Sequence, residues 1–205
     1  MSQKKIIFFI IFILIGLSVI FVWKNSQKPQ VEEESVRDQI FSVISDFDFS
    51  DPKSFYSISD IGDLGGEETL VVLQELIKSK SVSDRWAAIV LLPKILKNND
   101  SFKKEVFSSL RYGLNDENDT LKMLTGAQFV SLGEKDGLPA LISSLNSNET
   151  THFGEPPELV KDRSLIYLHH YTSYDGEIFD EWQKWWDDNK EILSWNESLE
   201  IFEIK

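Results

Sequence analysis

Leu73 and Leu110 stand 37 positions apart, and so do Arg85 and Lys122. Each pair marks the same place in the same succession of residues. In the first unit Leu70, Leu73, Leu76 and Ile77 fall on one helical face. A polar turn follows, Ser83-Asp84 can cap a second helix, and residues 85–96 are apolar almost all round. In the second unit Phe102, Val106, Phe107, Leu110 and Leu114 repeat the first face. Asp119 is then the expected cap of a helix holding Leu121, Leu124, Phe129 and Leu132. Leu138, Leu141, Ile142 and Leu145 open a third unit, whose second helix spans 159–171. The spacing from Lys122 to Arg163 grows to 41, because an insertion at 146–157 interrupts the unit. A helix pair of this size cannot bury its apolar face alone, so consecutive pairs must stack on a shared core. The expected fold is all-α.

The residues that open these helices also resemble a known family. Residues 119–145 (DTLKMLTGAQFVSLGEKDGLPALISSL) are similar to a HEAT-type repeat: an Asp and a basic residue open the second helix, Leu132-Gly133-Glu134 makes a small turn, and Leu138-Pro139 starts the next helix. Asp84-Arg85-Trp86-Ala87-Ala88 resembles the same signature one unit earlier. The resemblance covers residues 66–171. It implies antiparallel helix pairs in a short α-solenoid whose second helices line a binding surface. Thr125 and Ile166 depart from it, standing where the family has Ala, and Pro93 lies inside a second helix. In EIFDEWQKWWDDNK, Ile178, Phe179, Trp182, Trp185 and Trp186 share one helical face. This is similar to the Trp-rich closing helix of some bacterial HEAT-type proteins and would cover the terminal repeat. The expected organisation is capping helices at 36–65, repeats at 66–173 and a Trp-rich cap at 174–205, with residues 192–205 as a strand-like or irregular tail over it.

The N-terminal region has a different character. Residues 6–23 (IIFFIIFILIGLSVIFVW) hold no charge. At about 1.5 Å per residue they would make a helix of about 27 Å, near the ~30 Å hydrocarbon core of a bilayer. The run is longer than a signal-peptide core, and no small-residue cleavage motif follows it. It therefore reads as an uncleaved signal anchor. Lys4 and Lys5 precede it, which favours a cytoplasmic segment at 1–5 and an extracytoplasmic C-terminal domain in a bacterial envelope. Residues 24–35 contain Pro29 and Glu32-Glu33-Glu34 and read as a linker.

Composition narrows the chemistry. The chain has 205 residues, no Cys and a formal net charge of -13. The missing thiols exclude disulfides, thiolate metal sites and Cys nucleophiles. The acidic balance argues against nucleic acid, whose phosphates need clustered Lys and Arg, and favours a protein partner with a basic surface. No nucleophile elbow or Gly-rich phosphate loop occurs. His169 and His170 are adjacent and diverge on a helix, and the acids around Asp116–Asp119 lack the order of a calcium loop. No catalytic, metal-ligating or cofactor-binding residue is expected, no cofactor, and no small-molecule substrate is evident. The expectation is a non-enzymatic, membrane-tethered interaction scaffold or assembly factor. The alternative is an envelope saccharide or peptide binder that uses exposed Trp rings. Candidate contacts are His152 and Phe153 in the insertion, and Trp182, Trp185 and Trp186 in the cap.

Overall fold

The computed structural model describes residues 35–45, 66–151 and 157–205. The expected anchor at 6–23, the linker before Ser35, residues 46–65 of the expected capping helices, and His152 and Phe153 all lie outside these residues. Among the described residues no helix is long and apolar enough to cross a membrane.

The described chain is mostly helical, as expected. Its helices are α1 (Val36–Ser45), α2 (Glu67–Leu76), α3 (Val82–Asn98), α4 (Lys103–Leu110), α5 (Asp119–Ser131), α6 (Leu138–Ser144), α7 (Val160–Tyr171) and α8 (Phe179–Asn189). The tail forms a small antiparallel hairpin of β1 (Leu193–Asn196) and β2 (Ile201–Ile204), with Trp195 opposite Phe202. Helices α2 and α3 pack together, as do α6 and α7. The second helices α3, α5 and α7 also touch in succession.

Two helix caps lie upstream of their expected places. Ser81, not Ser83-Asp84, caps α3, its hydroxyl accepting from the Asp84 N–H at 3.3 Å. Asn118, not Asp119, caps α5 by accepting from the Leu121 N–H at 3.0 Å. In both cases the capping oxygen serves the N–H three residues on, which is the reach a short side chain has. Asp84 and Asp119 instead occupy the first turns, where a carboxylate complements the helix dipole. Three Asn-x-Ser/Thr triplets have the same local use: the Asn99, Asn118 and Asn196 side chains each accept a backbone N–H within the next three residues.

The departures from the repeat pattern are each accommodated. Thr125 is buried, and its hydroxyl donates to the Leu121 carbonyl at 2.8 Å. Gly113 gives it room, since a Cβ there would stand 2.2 Å from Thr125 Oγ1. Ile166 is 52 % exposed and fills no shared core. Pro93 deprives the Ile89 carbonyl of its helical donor, yet α3 continues past it to Asn98.

Two apolar clusters form the core. Leu73, Trp86, Leu92 and Leu110 belong to the first, and Leu141, Leu168, Trp182 and Phe202 to the second. Helix α5 serves both: Leu121 and Phe129 face the first, Met123 and Val130 the second. It can do so because it crosses the start of α6 backbone to backbone. A Cβ on Gly137 would lie 2.3 Å from the Gly126 carbonyl oxygen, so neither partner at this crossing tolerates a side chain without displacement. Helix α5 ends in a Schellman motif, with the Gly133 N–H donating to Val130 and the Glu134 N–H to Phe129, both at 3.0 Å. Gly133 has a φ of 77°, and the Trp195 indole lies against it. This turn is therefore where the terminal hairpin is seated.

Candidate functional site

The sequence-derived contact residues divide by burial. Trp182 is fully buried and Trp185 nearly so, while Trp186 is half-buried. Trp182 donates its indole N–H to the Gly176 carbonyl at 2.7 Å and meets Trp185 edge-on at 5.4 Å between centroids. Tyr174 stacks on Trp185 with only 9° between the rings. This aromatic group closes the second core, and stacking against a ligand needs ring faces that Trp182 and Trp185 do not offer. The insertion is tied at its base. The Thr151 N–H donates to Glu158 at 2.7 Å, the Val160 N–H donates to Glu149 at 2.9 Å, and Ser147 and Thr151 are buried.

His169, Asp175 and Glu177 each present a ligand atom, all within 4.8 Å of one another. These three side chains could hold one divalent cation, a grouping not evident from the chain order. Their present geometry serves the cap. His169 Nε2 lies 2.8 Å from the Gly176 carbonyl, which only accepts, so this nitrogen carries the proton and is not free to ligate.

The basic residues that open the second helices are structural. Arg85 is buried and clamps Asp116 with two hydrogen bonds, Nε to Oδ2 at 2.7 Å and Nη2 to Oδ1 at 2.9 Å. Its Nη1 also donates to the carbonyls of Ser79 and Lys80, at 3.1 and 3.2 Å. The hydrogen bonds to Asp116 raise the Arg85 pKa above its ordinary value against the opposing effect of burial, so this guanidinium stays charged. Asp116 accepts in addition from the Asn118 N–H, tying the bridge to the cap of α5. One unit later Lys122 pairs with Asp119 at 2.8 Å. Hydrogen bonds from Lys122 and then Ser147 hold the Asp119 carboxyl below the usual carboxylate range. Arg163 pairs with Glu158 at 3.2 Å.

The feature that sequence reading missed is a groove of about 540 Å³ between the C-terminal halves of α3 and α5. Phe107 of α4 is its buried apolar base, and half-buried Val90, Pro93, Leu96 and Leu132 form its sides. Three lysines, Lys94, Lys97 and Lys103, line it with Gln128 and a single acid, Asp100. The spacing of Lys94 and Lys97 on one helix and the loose apolar pattern of α3 were the available signals. A second hollow of about 570 Å³ lies at the foot of the insertion, bordered by Asn146, Lys161, Asp162, Ile178 and Asp180. The first groove combines an apolar floor with a rim whose sign opposes that of the chain, and a docking surface needs both.

No protein-family model matches the chain, and no curated protein matches it.

Proposed function

We propose that the chain is a membrane-tethered, non-enzymatic interaction module: a scaffold or assembly factor that holds a protein partner near the bilayer. In this reading the pairs α2/α3, α4/α5 and α6/α7 form a short α-solenoid of HEAT type, closed at one end by the Trp-rich cap. Residues 6–23 anchor it with the N-terminus in the cytoplasm and the domain on the outer side of a bacterial cytoplasmic membrane. The partner is a protein and not a nucleic acid. The groove between α3 and α5 carries the reading, because it is an apolar cleft set on helices that two cores hold in place. The expectation of a basic partner rested on net charge alone. Contact chemistry follows the rim, and the rim is locally positive.

The test is native electrophoresis of the full chain extracted with mild detergent from its own membranes. The expected result is recovery in the membrane fraction, in a complex larger than the chain alone. Gln128→Trp, which fills the groove from a half-buried site, should return the chain to its own size while its helical circular dichroism is kept. Recovery in the soluble fraction would overturn the tether. Migration at the size of the free chain, or a complex indifferent to Gln128→Trp, would overturn the docking role.

A further inference from the structure

We infer that the groove between α3 and α5 receives an acidic segment of a partner protein, one that pairs apolar anchors with several Asp or Glu residues; this rests on the docking reading above. Two observations support it. The groove's floor is apolar, with buried Phe107 beneath half-buried Val90 and Leu132. Its rim holds Lys94, Lys97 and Lys103 against Asp100 alone, in a chain with 34 acidic and 21 basic residues. A net positive cleft on so acidic a protein is a local reversal of sign, and the surrounding negative charge would repel acidic segments that miss the groove. Lys97 is exposed and forms no ion pair among the described residues. Lys103 reaches Glu134 only at 3.7 Å, with both side chains substantially exposed, a pair that an incoming carboxylate can replace at little cost. The lysines supply charge without a fixed fork, so they suit carboxylates at variable positions along a segment. The apolar floor supplies the remaining affinity.

The test uses fluorescence anisotropy of the full-length protein in detergent micelles. The probes are three labelled 14-residue peptides with the same Leu and Phe anchors, whose other positions are Glu, Gln or Lys. The Glu peptide should bind at least about tenfold more tightly than the Lys peptide at low salt, and the gap should shrink as salt screens the rim. Lys97→Glu/Lys103→Glu should reverse the order, favouring the Lys peptide. Lys78→Glu/Lys80→Glu, off the groove, should leave the order unchanged. Equal binding of all three peptides, binding of none, or an order indifferent to the groove reversal would overturn the inference. In that event a native complex still lost on Gln128→Trp would leave the docking reading standing. Its persistence would remove both.

Discussion

Leu141→Asp is expected to unfold the second core. Leu141 is fully buried on α6, among Met123, Val130, Leu168 and Trp182. It sits beside the Gly126–Gly137 crossing, where its Cγ would be 3.1 Å from a Cβ on Gly126. A carboxylate at this place has no partner and no room to reach water. Burying it costs several kcal/mol, against a total stability of about 5–15 kcal/mol for a domain. Because α5 lends its opposite faces to the two cores, loss of its seat on α6 also disturbs the α5 wall of the groove. The helical circular dichroism signal should fall, and the melting transition should drop by tens of degrees or vanish. Leu141→Met, which conserves volume, should cost less than about 1.5 kcal/mol and leave the transition near its original place. An unchanged melt for Leu141→Asp would mean that α6 does not pack as described.

Asp116→Ala should be the next most damaging change. It leaves the Arg85 guanidinium buried with the two carbonyls of Ser79 and Lys80 as hydrogen-bond acceptors and only the exposed Glu117, 3.8 Å away, as a counter-charge. The side chains of Arg85 and Asp116 are 10 % and 5 % exposed, so water cannot replace the lost carboxylate. Breaking a buried pair from one side costs about 3–5 kcal/mol, most of it the stranded charge. Adding Arg85→Met removes that charge, so the double variant should be more stable than Asp116→Ala alone. The two changes would then be strongly non-additive in a denaturant-unfolding cycle. The bridge spans the turn before α3 and the cap of α5, and those two helices wall the groove. Asp116→Ala should therefore weaken partner docking together with stability. A loss below about 0.5 kcal/mol, the range of ordinary surface substitutions, would show that the bridge does not hold the two units together.

The helical periodicity was legible where it was strongest. The faces of α2, α4 and α6, the opening of α7 after the insertion and the Trp-bearing face of α8 follow directly from apolar spacing, since burial on one side leaves that signature. The caps were misplaced because Ser81 and Asn118 compete with neighbouring Ser and Asp residues of nearly equal propensity. Only the geometry of the first turn decides among them. The hairpin of Leu193–Asn196 and Ile201–Ile204 was visible only as a strand-like tail. Its pairing depends on the Gly133 turn and on Thr172, which bridges to Phe202 from a distant part of the chain. The Arg85–Asp116 clamp joins residues 31 positions apart, and no local pattern announces such a pair. The groove was illegible for a related reason: its walls come from three helices, and its apolar sides are half-buried residues that do not stand out from an ordinary core stripe. The burial of Trp182 and Trp185 was open in the sequence, which placed three Trp on one face and allowed both a cover for the terminal repeat and an exposed ligand-gripping surface. The observed partners, Tyr174, Gly176 and the rest of the second core, are the answer.

The measurement that bears most directly on the docking role is photo-crosslinking in living cells. A benzophenone side chain is placed at Ser131, on the exposed edge of the groove, or, as a control, at Tyr112, which is 56 % exposed and does not line the groove. The account predicts a discrete adduct with one protein from position 131 that is absent from position 112 and lost when Lys97 and Lys103 are changed to Glu. Identical adducts from both positions, or none from position 131 while the control crosslinks, would contradict it.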